Sequence, residues 1–246
     1  MGGKNQKIKK ILNDSFLHHY EIVQSYTLNK FIDDYITEWD NHYKSIGIEN
    51  YESDSEVKEL LDFAQNKTLN ESFINVREIN INDNIVAKSF ENQINQAFIH
   101  YNTVLRADGN NKEFQSIFIE DDFFPVGLLC LYGMGNFEIL QEPEYLDFDY
   151  NNQLFDESCK IDYSPVMKIL LDFNQTIEEL GFDNYISNSE FYYSLAKMYR
   201  YKTYLLLNLA FENIDLKFLN NLKILKPFYV FANEHDCEAS NIYIFD

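Results

Sequence analysis

The sequence predicts an α+β protein with a mainly helical N-terminal half, a small antiparallel sheet in the middle and a C-terminal β-hairpin packed with long helices. Three observations predict it. Apolar residues recur at steps of three and four through most of residues 1–108, the spacing of one helical face. Between 116 and 150 the pattern changes to alternation with β-branched and aromatic residues. Two aromatic, β-branched runs then close the chain. With 246 residues, 46% of them hydrophobic and 16% aromatic, the chain can bury a real core. The organisation expected is a single domain over 1–246, with a split into helical 1–108 and α+β 109–246 as the alternative.

The helices follow in order. Residues 8–26 are helix-like but irregular. Leu28, Ile32, Tyr35, Trp39, Tyr43 and Ile46 share one face of a helix that Gly47 would stop. Ser53-Asp54-Ser55-Glu56 is a capping box, in which the Ser hydroxyl accepts from the N3 amide and Glu56 reaches back to the cap amide. A short helix to about Gln65 should follow. Thr68 to Glu71 repeats the pattern and opens another. Val86, Phe90, Ile94, Ala97, Tyr101 and Val104 mark a long helix ending before the turn dipeptide Asp108-Gly109.

In the middle, 116–120 alternates as a strand. Residues 127–132 and 137–141 flank Gly133-Met134-Gly135-Asn136, which reads as a hairpin turn. Over 145–150, Leu146, Phe148 and Tyr150 fall on one face and Tyr145, Asp147 and Asp149 on the other. Ser164 and Pro165 then open a helix striped by Val166, Leu170, Phe173, Ile177 and Leu180, and Gly181 closes it. Ser187-Asn188-Ser189-Glu190 is a second capping box, opening a helix to about Glu212 that is apolar on most of its circumference and therefore central. A short helix is expected over 215–222. Residues 228–233 and 241–246 form the closing hairpin around polar 234–240.

Charge narrows the classes of function. Forty acids face twenty Lys plus Arg, a net charge of −20 and a pI near 4.5. Such a surface repels nucleic acid and anionic membrane and speeds encounter with a basic partner. The longest apolar stretch, 123–132, is too short to span a bilayer. Residues 1–10 are polar and basic with no apolar run behind them, so a cytoplasmic location is expected. Cys130, Cys159 and Cys237 are odd in number and widely spaced, as ordinary thiols in a reducing compartment are. Ile, Asn, Lys, Phe and Tyr abound while Arg occurs three times, the composition an AT-rich bacterial genome produces.

Motifs for catalysis are missing: there is no GxGxxG, Walker A loop, GxSxG elbow or HExxH. No catalytic side chain, cofactor or metal is therefore nominated. Asp147-x-Asp149-x-Asn151 opens like a calcium loop, but Asn152 stands where the turn needs Gly and Ser158 where a bidentate Glu is needed. Glu38 and His42, four apart, have a chelating spacing that any charged helix also produces. Glu234-His235-Asp236-Cys237-Glu238 is the densest run of ligand-type side chains. It supports the alternative of a metal-dependent hydrolase, against a plain polar hairpin connection.

Residues 120–160 carry the strongest signal. Ten acids face one base, Lys160, so this segment holds −9 of the net charge. Aromatics run through it: Phe123, Phe124, Tyr132, Phe137, Tyr145, Phe148, Tyr150 and Phe155. Acids can steer a basic partner while partly exposed rings anchor it. The partner-binding residues expected are Asp121, Asp122, Glu142, Glu144, Tyr145, Asp147 and Asp149. An acidic cytosolic chain without catalytic motifs fits an immunity protein, an inhibitor that covers a basic toxin. A structural or adaptor protein of a phage or secretion system is the further alternative.

Overall fold

In a computed structural model, which describes residues 2–46, 55–108, 112–123, 125–234 and 238–246, the two β-rich regions join in one five-stranded mixed sheet. The strands are β1 (Glu113–Phe123), β2 (Val126–Tyr132), β3 (Leu154–Asp162), β4 (Lys223–Glu234) and β5 (Ser240–Phe245), in the order β3-β2-β1-β4-β5. β1 and β4 run parallel at the centre; the other neighbours are antiparallel. Central strands are covered on both faces, so Ser116, Ile117, Phe118 and Ile119 in β1 are all buried.

The middle strands β1, β2 and β3 pair antiparallel, as expected, but within one mixed sheet shared with the closing hairpin, and their hairpin is not the one the glycines suggested. β2 pairs with β1, Phe123 opposite Val126, and residues 137–141 form no strand. The reason is packing. Phe137 turns its ring onto one face of the sheet, into a cluster with Phe118, Cys130, Tyr132, Phe231 and Ala239. Gly135 permits this, because a Cβ there would strike the Phe137 ring. β3 was missed by pattern reading, since Asp156, Glu157 and Ser158 interrupt its apolar residues.

Eight α-helices are present among the described residues: α1 (Gly2–Ser25), α2 (Leu28–Ser45), α3 (Ser55–Gln65), α4 (Lys67–Val76), α5 (Asp83–Asp108), α6 (Ser164–Leu180), α7 (Asp183–Ile186) and α8 (Glu190–Phe211). Their ends follow local chemistry. Thr27 caps α2 by accepting from Lys30 N at 3.1 Å. Asn66 caps α4 through Leu69 N at 2.9 Å, two residues before the cap that Thr68 suggested. In the second box Ser189 is the cap, accepting from Tyr192 N at 3.1 Å, while Ser187 closes α7. Gly181 ends α6 at φ +73°, with Phe182 N reaching Ile177 O at 2.8 Å, the bond that completes a Schellman turn. Residues 215–222 yield only a 3₁₀ turn, Leu216–Leu219. Gly47, Ser53, Asp54 and Gly109 lie outside the described residues.

The chain divides into two compact units. One comprises Met1–Phe16, Ile81–Met167 and Arg200–Asp246 and contains the sheet. In it α5 packs on β2 and β3: Tyr101 Oη donates to Leu129 O, and Asp162 N donates to Gln93 Oε1 at 2.8 Å. His100 Nε2 lies 2.7 Å from Asp156 Oδ2 and holds that carboxyl down to about 2. At the opposite edge Asn5 of α1 receives and donates hydrogen bonds with Ile244 of β5, both at 2.9 Å, covering an otherwise open edge strand. The other unit, Leu17–Asn80 with Lys168–Tyr199, is helical. Its core is aromatic: Phe73 stacks on Phe191 at 4.5 Å and Phe63 meets Phe182 edge-on at 5.0 Å. No helix among the described residues is long and apolar enough to cross a membrane.

Candidate functional site

Of the seven residues expected at a binding face, the six whose side chains are described separate into three environments within the sheet-bearing unit. Glu142, Glu144, Tyr145 and Asp147 stand together on residues 133–150, a segment that lies along the sheet face without forming a strand. All four are exposed, Tyr145 at 72%. The alternation read from 145–150 is present even without regular strand geometry: Leu146 and Phe148 pack against the aromatic cluster while Tyr145 and Asp147 face out. Tyr150 departs from it, at 65% exposed with its ring edge against Tyr132.

This exposed group is held firmly. Glu144 N donates to Ala239 O at 3.2 Å and Ala239 N returns to Glu144 O at 2.8 Å. Leu140 N donates to Asn241 Oδ1 at 2.6 Å. Gly135 pairs with Phe148 further along. Pro143 fixes its own φ and biases Glu142 towards an extended backbone. The apolar residues of the segment are thus committed to the sheet, and its acids and Tyr145 are presented outward on an ordered backbone.

Asp149 has a local task. Its Oδ1 accepts from Asn151 N at 3.1 Å, capping a 3₁₀ turn, and its Oδ2 accepts from Asn152 Nδ2 at 3.0 Å. The side chain of Asp122 lies outside the described residues. Asp121 is buried at 3% exposure and so offers nothing to a partner at the surface.

Asp121 instead belongs to a polar cluster at the C-terminal ends of the parallel strands, where it stands opposite Glu234. Arg200 of α8, itself buried, places Nη2 2.7 Å from Glu234 Oε2 and Nε 4.0 Å from Asp121 Oδ2. Neither Asp121 oxygen makes a hydrogen bond of good geometry, although the Tyr163 hydroxyl lies beside it. Burial pushes the carboxyl up to about 8, against the pull of Arg200 and Tyr163 in the other direction. The same burial drives the Tyr163 and Tyr204 phenols well above their ordinary range. Gly127 makes room for this arrangement, since a Cβ there would meet the Tyr163 hydroxyl and Ile119. Arg200, Tyr163 and Tyr204 were not nominated from sequence. Residues from four distant segments make the cluster, and no spacing could have signalled it.

The thiols Cys130 and Cys159 are free and buried. Burial pushes Cys130 up to about 12, which suits packing and not nucleophilic attack. Among the described residues no group of three His, Cys, Asp or Glu side chains could hold a metal ion; His235, Asp236 and Cys237 lie outside them. Compared with known proteins, the chain matches no family model, no curated protein and no solved structure.

Proposed function

We propose that this protein is an acidic binding protein that captures a basic protein partner, in the manner of a cytoplasmic immunity protein inhibiting a bacterial toxin. The observation that carries this reading is Tyr145: an aromatic ring 72% exposed, flanked by exposed Glu142, Glu144 and Asp147, on a backbone tied down by the Glu144–Ala239 pair. An exposed ring on an ordered backbone loses little conformational freedom on binding, which favours a role as anchor. Three carboxylates around it, on a chain of net charge −20, steer cations and repel phosphate. Toxins that act on nucleic acid are basic because they hold phosphate, so an acidic face with an aromatic anchor complements them.

The test is affinity capture from the native cells with the tagged 246-residue chain, followed by kinetics with the captured basic partner. Replacing Glu142 and Glu144 with Gln and Asp147 with Asn should slow association about tenfold at low salt and flatten its salt dependence. Tyr145→Ala should instead speed dissociation, by about 2 kcal/mol in affinity. Asp149 is left intact because it caps a turn. Unchanged association by the charge variant at low salt would remove this face as the interface.

A further inference from the structure

The helical unit contains a second concave feature, independent of the face around Tyr145. A cleft of ≈ 250 Å³ opens between the start of α2, α7 and the start of α8. Tyr26, Phe31, Tyr35 and Tyr185 are among the residues that line it, together with Asp34, Glu38 and Glu190. The local sequence explains the grouping. Asp34 and Glu38 are four apart on α2 and so project from one face, with Tyr35 beside them. Glu190 opens α8 immediately after its Ser189 cap.

Three features of the cleft select a ligand. First, none of these three carboxylates takes part in an ion pair among the described residues. Their field reaches into the cleft: the Tyr26 phenol, pushed up first by burial, is raised further by Glu190, Asp34 and Glu38. Second, four of the lining residues are aromatic, with Tyr35 and Tyr185 in a T-shaped pair at 5.7 Å. The quadrupole of such rings attracts cations. The protein already uses it, for Lys30 Nζ sits 4.9 Å from the Tyr26 ring centre. Third, the volume falls below the roughly 300 Å³ at which sites for drug-sized ligands begin, and suits a single extended side chain.

We infer that this cleft binds one organic cation, a guanidinium or primary ammonium on an aliphatic stem, with the stem against the tyrosine rings and the charge among Asp34, Glu38 and Glu190. Inorganic cations are poorer occupants, since among the described residues no three carboxylate, His or Cys side chains come together closely enough to hold a metal ion. The chemistry has two sources, a basic polypeptide side chain or a free polyamine. A broader groove of ≈ 830 Å³ along β5 makes no such case, because its charges are already paired, Lys9 with Glu212 at 3.0 Å inside it and Asp246 with neighbouring Lys4 at 2.8 Å.

The protein carries its own reporter. Trp39, its single tryptophan, stacks on Tyr35 at 5.8 Å with 24° between the rings. The experiment is a titration of Trp39 fluorescence in the full chain with three probes: a tetrapeptide containing one arginine, the same peptide with uncharged citrulline in its place, and spermidine. Saturable responses to the arginine peptide or spermidine, absent for the citrulline peptide, are expected. The double variant Asp34→Asn, Glu38→Gln should weaken them at least about fivefold with an unchanged melting curve, because both side chains are exposed. Tighter binding of the arginine peptide identifies a polypeptide ligand, and tighter binding of spermidine a polyamine. Equal responses to the arginine and citrulline peptides, or saturation indifferent to the double variant, overturn the inference. Neither result bears on the Tyr145 face, whose charge variant is read separately.

Discussion

At the scale of single residues, burial decides what an acid does in this protein. Asp121, Asp122, Asp147 and Asp149 look alike in the sequence, each an acid beside aromatics. In the structure Asp147 is solvated, Asp149 caps a turn and Asp121 is enclosed with Arg200, Tyr163 and Tyr204. Asp121 makes a pH prediction whose sign follows from its displacement. Its folded-state value is raised from 3.8 to about 8, so folding favours the protonated form. Its contribution to stability is complete below about pH 4 and is lost as pH rises towards 8. Asp121→Asn should therefore be close to neutral at pH 5 and stabilising by about 1–3 kcal/mol at pH 8, measured by urea unfolding at both values. A variant equally stable relative to the parent at both pH values would show that Asp121 stays ionised.

Elements were largely legible because helix signals are local. The 3.6-residue stripes of α2, α5 and α6 located those helices, and the cap signals at Thr68, Ser164 and Ser187 fall within three positions of the starts of α4, α6 and α8. The second capping box shows where local reading stops. Ser187 and Ser189 are both plausible caps by composition, but the short α7 occupies the first and leaves Ser189 to receive Tyr192 N. Ser189→Ala should cost about 1 kcal/mol in thermal or urea unfolding, and Ser187→Ala less than about 0.5 kcal/mol. The reverse order would place the cap where the sequence pattern first suggested it. Strands were harder. β3 has acids and a serine at its middle, and its place in the sheet comes from α5, which supplies Gln93 to Asp162 and His100 to Asp156. Residues 137–141 have strand-like composition, yet Phe137 finds more burial against Phe231 and Phe148 than a sheet edge would provide.

For the whole molecule the net charge of −20 is the dominant long-range property. Like charges oppose compaction, and salt screens them over about 10 Å at 0.1 M. Raising NaCl from about 10 to about 150 mM should lift the melting temperature by a few degrees, followed by circular dichroism. A melting temperature that falls with salt would mean that favourable ion pairs, such as Lys202–Asp83, outweigh the repulsion. The same charge excludes partners of like sign, which is why the readings of the Tyr145 face and of the tyrosine cleft both converge on cationic ligands while resting on separate units.

The α+β class, the helical first half, the closing hairpin and the concentration of acid with aromatic residues over 120–160 follow from the sequence alone. Each depends on composition or on periodicity within about twenty residues. Tertiary structure decided the rest. β1 and β4 lie side by side, although more than a hundred residues separate them, because long-range strand pairing leaves no periodic trace. That pairing encloses Asp121 with Arg200, and the packing of Leu146 and Phe148 on the sheet turns Glu144, Tyr145 and Asp147 outward. The cleft of Tyr26, Tyr35 and Tyr185 likewise exists only once α2, α7 and α8 meet. Which acids are available to a partner is a question of burial, and burial is set by contacts between residues far apart in the chain.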